Sequence, residues 1–122
     1  MLAAFIADSI GSYVSFSTRP VGDQALDECL RMEGGGPLGA GAGQITGDSE
    51  LAMCLMYGLI DGNRESKPEC RVIDCDEIAR YYSLWFHEEP KPFDIGEPIQ
   101  NAFENLEVAS TDLKAIFTKI EA

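Results

Sequence analysis

Apolar and polar positions divide this chain into helical stretches joined by glycine-, proline- and acid-rich connectors. Leu2 to Phe16 is apolar around most of a helical circumference, which predicts a helix over 2–16 of the kind that is normally buried. Its small residues Ala3, Ala4, Ala7 and Gly11 would allow close approach of a neighbouring helix. Asp23 to Met32 predicts a short helix with Leu26, Cys29 and Leu30 on one face. A central helix follows from about Asp48 to Asp61. It carries one stripe of Leu51, Leu55, Gly58 and Leu59 and another of Ala52, Met56 and Ile60, so burial on nearly all sides is expected. Gly62-Asn63 is its stop.

Residues 63–72 are polar and include Pro68, as an exposed loop would. Asp74 or Asp76 can cap the next helix, roughly Cys75 to Glu88, with Ile78, Tyr82 and Trp85 at i, i+4, i+7. Pro90 and Pro92 end it. Phe93-Asp94-Ile95-Gly96 then connects to a helix carrying Ile99, Phe103 and Leu106. Ser110 to Asp112 marks a last helix start, followed by Leu113, Ile116, Phe117 and Ile120. Nothing alternates with period two over a useful length, so the expected fold is all-α with five or six helices.

The connector before the central helix is the unusual stretch. Seven of the fourteen residues from Gly34 to Gly47 are glycine, too many for a helix or strand interior. Thr46, Asp48 and Ser49 then present small oxygen-bearing side chains where a helix should begin. Such residues can cap a helix, and their oxygens also suit a hard cation. Asp8 is the other anomaly, a carboxylate in the middle of an apolar helix, costly unless paired or hydrogen-bonded. Either it satisfies a nearby amide or hydroxyl, or it is a site carboxylate.

Composition narrows the function classes. A chain of 122 residues fits one domain or a piece of one, and 45% hydrophobic with 25% charged residues is ordinary for a globular protein. The net charge of −12 argues against nucleic acid and anionic membranes as partners, since both require a basic face. No stretch approaches the length of a membrane span and no signal peptide is recognisable, so a soluble cytoplasmic protein is expected. Cys29, Cys54, Cys70 and Cys75 lack a C-x-x-C pair and have one histidine, His87, for company. They read as reduced thiols, with Cys54 a small buried hydrophobe, while His87 suits a solvated helix C-terminus.

Several segments resemble a known family. Ala7-Asp8-Ser9-Ile10-Gly11-Ser12 resembles the Gly-Asp-Ala-Ile-Gly-Ser segment on the first helix of ADP-ribosylglycohydrolases. Gly34-Gly35-Gly36-Pro37-Leu38-Gly39, with Gly43-Gln44-Ile45-Thr46, is similar to that family's glycine loop. Thr46-Gly47-Asp48-Ser49-Glu50-Leu51-Ala52 aligns with its Thr-Asp-Asp-Thr-x-Met-Ala motif. Tyr82-Ser83-Leu84-Trp85 and Phe93-Asp94-Ile95-Gly96 are similar to its Tyr-x-x-Trp and Phe-Asp-Ile-Gly elements, in the same order.

The resemblance implies the N-terminal portion of an all-α ADP-ribosylglycohydrolase-like bundle, residues 1–122 being an incomplete domain. It implies a dinuclear magnesium or manganese centre that removes ADP-ribose from modified side chains, with ADP-ribose or an ADP-ribosylated protein as partner. On it, Thr46, Asp48 and Ser49 stand at metal-ligand positions. Asp8 belongs to the supporting helix, Gly34, Gly35 and Gly36 let the backbone approach a diphosphate, and Asp94, Ile95 and Gly96 lie near the ligand.

Departures accompany it. Gly47 stands where the motif has its first aspartate, and Ser15 where the family has a glutamate near the metals. The family's second metal motif, Asp-x-Asp-Thr, has no counterpart here. The expectation is therefore a pseudoenzyme, hydrolase-like but inactive as this chain. The alternative is a structural subunit or interaction module that packs against other protein chains or against a missing C-terminal half.

Overall fold

A computed structural model describes residues 1–64 and 70–104. The described elements are five helices, α1 (Leu2–Gly11), α2 (Asp23–Arg31), α3 (Gly47–Asp61), α4 (Cys75–Phe86) and α5 (Glu97–Phe103). Apart from one isolated bridge between Gly35 and Ala40, no strand pairing occurs among the described residues. The fold is all-α. The helix proposed to begin at Ser110 lies outside the described residues, as do Leu106 and residues 65–69 of the polar loop.

The chain forms two compact units, Met1–Ala52 and Met53–Ala122, with α3 contributing to both. In the first, α1 packs on α2. α1 ends at Gly11 instead of running to 16, and local hydrogen bonding explains why. Ser12 Oγ donates back to the Ser9 carbonyl at 2.8 Å, Ser15 Oγ leans on the Gly11 carbonyl at 3.3 Å, and Val14 N–H donates to the same carbonyl at 3.0 Å. Serine hydroxyls compete in this way with helix propagation. The segment closes at Phe16, whose φ of +59° is left-handed. α2 closes at Met32, also left-handed at φ +50°.

The all-round burial expected of α1 is not met. Leu2 and Ile6 are 74% and 43% exposed, with Ala3, Ala4 and Ala7 also exposed. On α2, Cys29 is buried while Leu26 and Leu30 are open to solvent. α3 likewise leaves Leu55, Tyr57, Leu59 and Ile60 exposed, and Cys54 is half-buried. Apolar periodicity states what a helix can bury, and here the faces exceed what the described residues cover.

In the second unit α4 supplies the core. Asp74 is its cap: Oδ1 accepts from the N–H groups of Asp76 at 3.1 Å and Glu77 at 3.0 Å. Tyr81, Leu84, Trp85 and Phe86 are buried. Phe103 of α5 stacks on Tyr82, with ring centroids 5.5 Å apart, and meets Trp85 and Phe86 edge-on. α3 and α4 approach at Gly58, where a Cβ would lie 2.7 Å from Ile78 Cα. Tyr81 Oη donates to Asp61 at 2.5 Å, and its ring stacks on Tyr57. His87 follows the last turn with Nδ1 2.8 Å from the Ser83 carbonyl, a contact that only a protonated Nδ1 can make.

Candidate functional site

The first unit brings Asp8 together with Thr46 and Ser49. Hydrogen bonds from Thr46 and Ser49 converge on one carboxylate. Thr46 donates its N–H to Oδ2 at 2.8 Å and its Oγ1 hydrogen to Oδ1 at 2.5 Å, and Ser49 Oγ donates to Oδ2 at 2.5 Å. Asp8 thus holds the start of α3 from another helix, performing for its unsatisfied N–H groups what a local cap normally does. The positive end of the α3 dipole favours the charge. Burial pushes the Asp8 carboxyl up, but the Ser49 and Thr46 hydrogen bonds outweigh it and hold the carboxyl below its ordinary 3.8.

Asp8 satisfies hydroxyls and an amide. Thr46 and Ser49 are each 3% exposed, and each hydroxyl hydrogen is committed to Asp8. Gly47 is buried between them and brings no carboxylate, while Asp48 is exposed. Among the described residues, no three or more His, Cys, Asp or Glu side chains are grouped so as to hold a metal ion. Cys29, Cys54, Cys70 and Cys75 are all free thiols.

The glycine loop is a tight hairpin. Gly35 N–H donates to the Ala40 carbonyl at 2.7 Å, Ala40 N–H returns the bond at 3.0 Å, and Gly39 N–H donates to Gly36 at 3.1 Å. Two of its glycines are required on separate grounds. Gly34, at φ +81°, has no room for a Cβ beside the Ala40 carbonyl, and Gly36, at φ +68°, none beside the Tyr13 carbonyl. Gly36 therefore sets the loop directly on the backbone that follows α1. The farther end is tied by Gly43 N–H to the Met32 carbonyl at 2.9 Å and Gly41 N–H to Gln44 Oε1 at 2.6 Å.

The family model for ADP-ribosylglycohydrolase matches residues 1–116. The chain belongs to the ADP-ribosylglycohydrolase family. A protein of Acanthamoeba polyphaga mimivirus named "Putative ADP-ribosyl glycohydrolase" is 29% identical over 111 residues, which cover 84% of this chain and 29% of that protein. The chain thus spans less than a third of that relative's length. No solved structure matches it.

Three further residues singled out by the resemblance lie in the second unit. Asp94, Ile95 and Gly96 are half-buried in the connector before α5. The Gly96 carbonyl accepts from Ile99 and Gln100, both at 3.0 Å, so this residue starts α5. In the first unit Ser15 is half-buried with its hydroxyl on the Gly11 carbonyl. Sequence reasoning missed Tyr13 and Glu28: Tyr13 Oη donates to Glu28 Oε2 at 2.5 Å, a tie across fifteen positions that no local motif announces.

Proposed function

We propose that this ADP-ribosylglycohydrolase-family chain derives from a magnesium-dependent hydrolase of ADP-ribosylated substrates and does not itself hydrolyse them. The observation that carries the reading is the state of the α3 start. Two divalent cations require several anionic oxygens to offset their charge and lost hydration. Here the carboxylate nearest the motif, Asp8, is saturated by Thr46 and Ser49, and Gly47 contributes none. Asp48 is the exposed carboxylate of the motif. That donor set does not fit a dinuclear centre, so no catalytic step is assigned to one.

Calorimetric titration of ADP-ribose with and without magnesium tests this. Neither magnesium-dependent binding nor release of ADP-ribose from a modified protein is expected. Magnesium-dependent release by the 122-residue chain would overturn the reading.

A second reading, an interaction module, rests on the uncovered apolar faces. Leu2, Leu30, Ile60 and Ile73 are 74%, 57%, 62% and 73% exposed, and among the described residues no large side chain is fully buried. Large apolar side chains left open to solvent are what a protein contact would cover. On this reading the chain packs against other protein or against polypeptide equivalent to the rest of the family's length. Nucleic acid and anionic membranes are disfavoured by the charge of −12. No described helix is long and apolar enough to cross a membrane. A cytoplasmic setting with reduced thiols is consistent with four free cysteines. Light scattering distinguishes the cases: an oligomer or a complex is expected, and a monodisperse monomer that recruits nothing argues against it.

A further inference from the structure

The second unit carries an apolar face that its described helices leave bare. On α3, Gly58 and Asp61 are turned towards α4: a Cβ at Gly58 would strike Ile78, and Asp61 accepts from Tyr81 Oη. With 3.6 residues per turn, Leu59 and Ile60 then stand on the far side of α3, with Leu55 one turn before Leu59. All three are exposed.

Asn63 extends this face. Its Nδ2 donates to the Leu59 carbonyl at 2.9 Å and to the Val72 carbonyl at 2.8 Å, while Oδ1 accepts from the Val72 N–H at 2.9 Å. One side chain thus satisfies both backbone groups of Val72 and fixes it beside the last turn of α3. Val72 and its neighbour Ile73 are 60% and 73% exposed. A surface held in place in this way loses little further freedom when something covers it.

The sequence supplies an occupant of matching pattern and length. Residues 105–122 lie outside the described residues, and among them Leu113, Ile116, Phe117 and Ile120 recur at i, i+3, i+4, i+7, the stripe of an amphipathic helix. A helical run over 112–120 would be about 13 Å long, and α3 from Leu55 to its end is about 10 Å. The segment starts from a fixed point, since Phe103 stacks on Tyr82. From Tyr82 back to Asp74, against which Gly62 packs, is about 12 Å along α4, and crossing one helix adds about 10 Å. Residues 104–111, extended, reach about 26 Å. A short tether holds the segment at a local concentration on the order of millimolar, which favours it over a second copy of the chain.

We propose that residues 112–120 dock as an amphipathic helix across Leu55, Leu59, Ile60, Val72 and Ile73, closing the outer face of the second unit. This concerns the second unit alone and leaves the exposed side chains of α1 and α2 to a partner. It does not depend on whether ADP-ribose is bound or cleaved.

The test uses the full chain with methyl-labelled isoleucine. Nuclear Overhauser contacts are expected from the methyls of Ile116 and Ile120 to those of Ile60 and Ile73. They should persist on dilution and be missing from isotope-filtered spectra of mixed labelled and unlabelled chains. Phe117→Asp and Ile60→Asp should each abolish them and speed amide exchange over 112–120 about tenfold or more. Thr118→Asp, on the opposite side of the same helix, should change neither. Ile60 is 62% exposed, so its replacement should leave Trp85 fluorescence as in the wild type. The wild-type contacts decide the matter even where a variant fails to fold. Their absence, contacts found only between labelled and unlabelled chains, or equal effects of Phe117→Asp and Thr118→Asp would each overturn the proposal.

Discussion

Asp8 and Thr46, thirty-eight positions apart, are joined by two hydrogen bonds, one from the Thr46 amide and one from its hydroxyl. The Ser49 hydroxyl adds another from forty-one positions away. The apolar helix α1 carries this one carboxylate, and it serves to seat the beginning of α3.

Replacing that carboxylate should be among the more damaging single changes. Asp8→Ala leaves the Thr46 and Ser49 hydroxyls, each 3% exposed, without their acceptor. Hydrogen bonds to a charged group are worth about 1.5–3 kcal/mol, and orphaned buried donors add a desolvation cost. A loss of about 3 kcal/mol is expected from urea unfolding of wild type and variant. Asp8→Asn should lose less, since one oxygen remains.

The Asp8 contribution has a defined pH window. Its folded pKa lies below 3.8, so the stabilisation is fully present above that value and is lost as pH falls through the lower, folded pKa. The stability gap between wild type and Asp8→Asn should therefore be flat from neutral pH to about 5 and should close in the more acidic range. Urea midpoints measured from pH 6 down to about 2 would show it. A gap that grew on acidification would contradict the assignment.

The glycine loop allows steric and conformational costs to be separated. Gly39, at φ +61°, has open space where a Cβ would stand, whereas Gly36, at φ +68°, would drive it into the Tyr13 carbonyl. Gly39→Ala should cost about 1–2 kcal/mol from backbone conformation alone. Gly36→Ala should cost about 2 kcal/mol more, because backbone must move. Thermal melts of the two variants would give the difference directly.

In the second unit, Tyr81→Phe removes only the hydroxyl that donates to Asp61 at 2.5 Å. A loss of about 1.5–3 kcal/mol is expected, being a hydrogen bond to a charged group. The stacking of the ring on Tyr57 should survive, so far-ultraviolet dichroism of the folded variant should change little.

What was legible in the sequence follows the range of the interaction involved. Asp74 and its helix could be read because a cap and its N–H partners lie within three residues. The loop from Gly34 was evident from glycine density, and the left-handed φ values at Gly34, Gly35, Gly36, Gly39 and Gly43 are its physical reason. The partners of Asp8 were not legible, because composition and periodicity say nothing of contacts thirty-eight positions apart. The early end of α1 was hidden in the same way: the apolar pattern continues to Phe16, while the serine hydroxyls and one positive φ end the helix. Burial of α1 and α3 was over-read, since an apolar face declares a capacity to pack and not the presence of a neighbour. The resemblance singled out Thr46, Asp48 and Ser49, but not that two of the three donate to Asp8.

The clasp of Asp8 on Thr46 and Ser49 also sets an order of events. Closing a loop of that length carries an entropy cost that the local turns of α3 do not share. α3 can therefore nucleate early from its own sequence, but its first turn stays frayed until the N-terminal segment arrives and docks. Deleting residues 2–8 would consequently injure the head of α3 without touching a residue in it.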